Sequence, residues 1–111
     1  MDNPGIRMEP RHWEIVSVIL RSRIPGHDVW AFGSRVAGNA KPYSDLDLAV
    51  AGDTPVPFPT LALLSADFEE SRLPFKVDVV DLASVSRSFR QRIESNCMLV
   101  QSADKTRRAA T

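Results

Sequence analysis

The chain has 111 residues, 43% of them hydrophobic and 25% charged, which suits one ordinary globular domain. Its 14 Lys and Arg balance its 14 Asp and Glu, so no basic excess marks it as a dedicated nucleic-acid binder. A single cysteine, Cys97, excludes an intrachain disulfide, no apolar run nears the roughly 20 residues that span a bilayer, and "MDNPGIRMEP" lacks a secretory signal pattern, so the expectation is a cytoplasmic protein without a membrane partner.

"EPRHWEIVSVILRSRIPG" opens with Pro10 at a helix start, and Trp13, Val16, Ile19 and Leu20 recur at helical spacing until Pro25-Gly26 stops it. "DVWAF" is a short continuous apolar run, a buried strand that ends at Gly33. "SDLDLAV" alternates, with Asp45 and Asp47 on one side and Leu46, Leu48 and Val50 on the other, which is strand period. The loop "AGDTPVPFP" holds three prolines. "TLALLSADFEESRLP" reads as a helix with Leu61, Leu64 and Phe68 on one stripe. "FKVDVVDL" alternates again, with Phe75, Val77 and Val79 against Lys76, Asp78 and Val80. "SVSRSFRQRIESN" is a polar helix, and "CMLVQ" is either a short strand or the end of that helix. A small α/β (α+β) domain uses all of these: a mixed β-sheet with helices packed on one face and the other face open for chemistry. The domain is expected over 1–100, with 101–111 as a flexible polar tail.

Residues i and i+2 of a strand point the same way, so Asp45 and Asp47 project together from the open face. Aspartate is disfavoured in strands, and two neighbouring carboxylates repel unless a positive charge sits between them. A bare Asp-x-Asp is most often an exposed pair neutralised by Arg or Lys; a divalent metal is the functional alternative, since Mg²⁺ is held by one or two carboxylates plus phosphates and water. Parity adds Asp78 to the same face. Asp81 has the opposite parity and is expected past the strand end, turning the chain or capping the next helix. Three aspartates on one face suit two metals clamping a phosphoryl displacement. Upstream, Gly33-Ser34 opens a short helical turn through Arg35 and Val36 to Gly38, whose backbone N–H groups suit phosphate oxygens. Arg35 or Lys41 adds charge there. Taken alone the Gly-Ser pair is only a turn; its meaning comes from the combination with the acids. His12 and His27 are expected at the surface, Trp13 and Trp30 in the core, and Cys97 buried and inert.

Together, "FGSRVAGNAKPYSDLDLAV" and "FKVDVVDL" resemble the nucleotidyltransferase signature of the DNA polymerase β superfamily, and in detail its minimal nucleotidyltransferase (MNT) members. The likeness runs from about Val29 to Leu82. It implies the nucleotidyltransferase fold. It implies Mg²⁺, as two ions, on Asp45, Asp47 and Asp78, with Asp78 helping to activate an acceptor hydroxyl. Gly33 and Ser34, with Arg35 assisting, would hold the phosphates of ATP. The reaction implied is transfer of AMP to a hydroxyl with release of pyrophosphate. Minimal members are often paired with a helical HEPN toxin, a ribonuclease, and can adenylylate one of its tyrosines; the resemblance therefore implies an antitoxin in a hetero-oligomer, with no direct nucleic-acid binding. Two other readings stay open: an antitoxin that acts by contact alone, and a nucleotidyltransferase that modifies a small molecule with a partner subunit's help.

Overall fold

The computed structural model describes residues 3–38, 41, 43–52 and 54–104. In chain order these form α1 (Pro10–Arg23), β1 (Val29–Phe32), α2 (Ser34–Ala37), β2 (Leu46–Val50), α3 (Phe58–Glu70), β3 (Val77–Asp81), α4 (Arg87–Ser95) and β4 (Cys97–Gln101). The four strands make one sheet in the order β3-β2-β1-β4. β1 runs antiparallel to both neighbours, whereas β2 and β3 are parallel and joined by α3. Parallel neighbours need such a crossover, because a tight hairpin can only reverse the chain.

Strand parity sorts the residues between two layers. Val29 and Ala31 of β1, Leu46, Leu48 and Val50 of β2 and Val100 of β4 face α1 and α3. There they meet Trp13, Val16 and Leu20 from α1 and Leu64 and Phe68 from α3, all buried. Truncating a fully buried Leu such as Leu64 typically costs about 2–5 kcal/mol. α1 takes Pro10 in its first turn and ends in a turn carrying Arg21 and Arg23, where cations favour the carbonyl end of a helix. α3 starts two residues earlier than its pattern indicates: Phe58-Pro59 already belongs to it, with Pro in the first turn, where a missing N–H is harmless.

The opposite face is covered in part. α4 is capped by Ser86, whose hydroxyl accepts from the Phe89 N–H at 3.2 Å. Its Ile93 and Phe89 pack with Ala49, Trp30, Phe32 and Val80, and Phe32 and Phe89 meet edge to face at 6.2 Å between centroids. Helices thus lie on both faces, and the open area narrows to the strip around Asp47 and Asp78. The "CMLVQ" segment, ambiguous in sequence, is a strand, because β1 offers it a free edge. Residues 101–104, expected to belong to a flexible tail, are instead tied to the domain. Gln101 ends β4, is buried, and donates from Nε2 to the carbonyls of Ile24 (2.8 Å) and His27 (3.1 Å). Ala103 N–H donates to Asp28 Oδ1 at 2.6 Å and Asp104 N–H to the Pro25 carbonyl at 2.7 Å. Residues 105–111 lie outside the described part, as do Asn39, Ala40, Pro42 and Asp53 of the motif loop and the proline loop.

Candidate active site

The site forms where β1 hands over to α2. Gly33 follows the last β1 residue at φ 80°, ψ −158°, a backbone region essentially restricted to glycine. Phe32 pairs with Asp47 across the β1–β2 ladder, which brings the Gly33 turn against the Asp47 side chain. A Cβ on Gly33 would overlap Asp47 Oδ2 and press on its Cγ at 3.3 Å. The glycine is therefore required twice, for its dihedrals and for the space that the carboxylate fills. The single turn of α2 follows, with Val36 and Ala37 N–H donating to the Gly33 carbonyl at 3.1 and 3.0 Å and Gly38 closing it in a left-handed conformation. First-turn N–H groups such as that of Ser34 have no acceptor inside a helix. The Ser34 hydroxyl takes no hydrogen-bond partner among the described residues. Both groups are available to an anion beside Asp47.

The parallel β2–β3 register sets Asp47 directly beside Asp78, roughly one strand spacing of about 4.8 Å apart. Asp45 precedes β2 by one residue and is exposed. Burial raises the Asp47 carboxyl above the usual range, and the charges of Asp78 and Asp45 raise it further. Lys76 places Nζ 3.4 Å from Asp78 Oδ1. An exposed pair of this kind contributes little stability, but it sets a cation beside the Asp78 carboxylate. Its signal was present in sequence: Lys76 lies two residues before Asp78 and shares its face.

These groups suit a hard divalent cation, since carboxylate oxygens are its preferred donors and Asp47 is disfavoured as a bare anion. Among the described residues, no three His, Cys, Asp or Glu side chains already gather around one point. The arrangement therefore fits an ion held through one or two carboxylates with substrate phosphates completing its shell.

Arg35 does not join the phosphate cradle expected of it. Its side chain turns to the other side of α2 and is buried, at 4% exposure. Nε and Nη2 donate to the Ser44 carbonyl at 3.0 and 2.7 Å, and Nη1 donates to the Arg7 carbonyl at 2.6 Å. The guanidinium also lies 4.1 Å over the Phe75 ring. Burial lowers its pKa, and the Asp45 charge opposes that shift. Arg35 ties the N-terminal segment to the loop that delivers Asp45 and Asp47, so it positions the acids. Lys41 is exposed, and its N–H donates to Ser44 Oγ at 2.8 Å.

Asp81 departs from expectation in another way. It is the last residue of β3, not a residue beyond it, and is buried at 7% exposure. Its carboxylate accepts from Val56 N–H at 2.7 Å, Ala83 N–H at 3.0 Å and the Ser84 hydroxyl at 3.3 Å. Facing away from Asp47 and Asp78, it staples the proline loop to the β3–α4 turn, as the opposite parity requires. His12 is half-buried against Phe75 and near Glu9, and His27 Nδ1 lies 3.1 Å from the Ala51 carbonyl. Trp13 is in the core, Trp30 packs beside α4, and Cys97 is half-buried, its thiol pushed up by burial and by Glu94.

Residues 18–106 match the family described as "Polymerase beta, Nucleotidyltransferase". The chain is 46% identical over 92 residues, 83% of its own length, to a probable protein adenylyltransferase MntA of Haemophilus influenzae, covering 81% of that protein. Among solved structures it resembles a toxin–antitoxin crystallised with AMP-PNP, at 25% identity and a TM-score of 0.68, over 85% of this chain and 76% of that one. It shares the fold of a chain in the complex of the tri-AMPylated Shewanella oneidensis HEPN toxin with MNT antitoxin, at 24% identity and a TM-score of 0.64 over 92% and 79% of the two chains.

Proposed function

The chain belongs to the polymerase β nucleotidyltransferase family, and from that premise we propose that it transfers AMP from ATP to a tyrosine hydroxyl of a helical HEPN toxin, as that toxin's antitoxin. The observation that carries this reading is the close approach of Gly33 to Asp47, itself in register with Asp78. A phosphate cradle and two carboxylates meet there with no side chain between them. The MntA relative is a probable protein adenylyltransferase, and the AMP-PNP complex is a toxin–antitoxin; both support this choice of reaction and partner.

In this reading Asp45, Asp47 and Asp78 would hold two Mg²⁺ ions, which would supply charge neutralisation for the triphosphate. The N–H groups and hydroxyl of the Gly33-Ser34 turn orient the β- and γ-phosphates. Asp78, on the outermost of the three site-building strands, faces the incoming hydroxyl and accepts its proton. The acceptor oxygen bonds to the α-phosphorus as the bond to the bridging oxygen breaks, and pyrophosphate leaves. Positioning and charge neutralisation are the main tasks in such transfer, and this small domain supplies both while the toxin supplies the acceptor. The setting is cytoplasmic, and neither membrane nor nucleic acid takes part in the step.

The test incubates the protein with α-labelled ATP, Mg²⁺ and its co-encoded toxin. Label on the toxin tyrosine that disappears with Asp47→Asn supports the reading. A toxin silenced equally by the Asp47→Asn variant, with no label transferred, overturns it in favour of inhibition by contact.

A further inference from the structure

The chain's one tyrosine, Tyr43, stands two residues before Asp45 with 73% of its surface exposed. It lines a groove of about 1010 Å³ that also takes in Arg7, Arg11, Arg35, Lys41 and Arg72, with Glu9 as the one acid among the described lining residues. Glu9 pairs with Arg11 at 3.1 Å, whereas Arg7, Lys41 and Arg72 have no ion-pair partner among the described residues. In a chain whose charges sum to zero this is a concentration of uncompensated cations. The groove's lining includes none of Asp45, Asp47, Asp78, Gly33 or Ser34, so Tyr43 lines a surface other than the acid site.

We propose that Tyr43 is itself an adenylylation site, modified by a second copy of the chain, and that the basic groove holds the resulting adduct. The inference rests on the adenylyl-transfer reading above. The phenol oxygen of one copy bonds to the α-phosphorus of ATP held on another copy. The bond to the bridging oxygen breaks, pyrophosphate carries away the electron pair, and the phenolic proton passes to the acid site of the transferring copy. The product is a tyrosyl phosphodiester with one negative charge. Arg7, Lys41 and Arg72 offset that charge where a neutral or acidic surface would not. Arg35 holds the neighbouring Ser44 carbonyl in place, so Tyr43 is displayed from a tethered loop. An exposed hydroxyl beside a tethered residue suits an acceptor, which must be presented in a defined position.

The experiment uses the full chain with α-labelled ATP and Mg²⁺, with and without the toxin, and maps the label by peptide mass spectrometry. The expected result is one adenylyl group on Tyr43, lost in Tyr43→Phe, while that variant still labels the toxin. A mixture of Asp47→Asn with Tyr43→Phe separates donor from acceptor. Neither variant labels itself, and the mixture is expected to label the Asp47→Asn chain alone. Arg7→Gln with Arg72→Gln is expected to reduce self-labelling and leave toxin labelling unchanged. Label on the toxin with none on Tyr43, self-label that survives Tyr43→Phe, or an unlabelled mixture overturns the inference and leaves the functional reading standing. Absence of label from toxin and chain alike overturns both.

Discussion

Replacing Gly33 with alanine tests whether the turn and the Asp47 carboxylate are one unit. At φ 80°, ψ −158° an alanine costs about 1–3 kcal/mol of backbone strain. The new Cβ also overlaps Asp47 Oδ2, the far end of a rotatable side chain. The overlap is relieved by swinging the carboxylate aside, which adds little to the stability loss but moves an atom that the proposed transfer uses. A displacement of roughly 1 Å in a reacting group can cost about 100-fold in rate, equivalent to about 2.7 kcal/mol. Gly38→Ala is the control. Gly38 also has positive φ, at 92°, yet a Cβ there meets nothing within 4 Å, so only a backbone cost of about 1 kcal/mol is expected. Urea unfolding of both variants gives the stability terms, and transfer of α-labelled AMP to the toxin gives the rate. The expected pattern is two folded proteins, of which only Gly33→Ala loses transfer by about two orders of magnitude. Equal transfer by the two variants would refute the close-approach argument.

Other outcomes follow from the same geometry. The folded-state pKa of Asp47 is raised, so the native state binds the extra proton and stability falls as pH rises from the unfolded pKa through the folded one. Asp47→Asn should therefore stabilise the metal-free protein near neutral pH, with the gain vanishing in acid below both pKa values; thermal melts across pH with chelator present check this. Asp81→Ala removes a charged acceptor from Val56, Ala83 and Ser84 and should cost about 2–4 kcal/mol in urea unfolding, with Asp81→Asn milder. Arg35→Lys keeps a charge but loses the fork that spans the Ser44 and Arg7 carbonyls. It should destabilise the fold by about 1–3 kcal/mol and lower transfer; full activity in that variant would return Arg35 to the role of a phosphate-facing charge.

Much of this arrangement was legible in the sequence because strands encode their faces by parity. Alternation placed Asp47 and Asp78 together and Asp81 apart, and the Gly-Ser turn fell where the first strand stops. The destination of Arg35 was not legible. A guanidinium two residues past the glycine of such a Gly-Ser turn reads as a phosphate ligand, and only the return of residues near Arg7 and Phe75 reveals the buried carbonyls and ring that claim it. The position of α4 was hidden for a similar reason. Its apolar residues are few, and their partners, Trp30, Phe32 and Ala49, lie far away in sequence on strands whose other face carries the larger core.

The sheet order also bears on how the domain is made. β1 lies between β2 and β4, so its outer edge stays open until the segment Cys97–Gln101 has been synthesised. β1 and β4 are separated by more than sixty residues, and β2 must wait for α3 before β3 can join it. Such distant pairings carry a loop-closure cost early and repay it late, which slows folding. A nascent chain that has emerged only as far as β2 holds Gly33, Asp45 and Asp47 but neither Asp78 nor a closed sheet. The acid site is therefore complete only once β3 has joined β2, and a chain interrupted before β4 leaves an apolar strand edge for other chains to find.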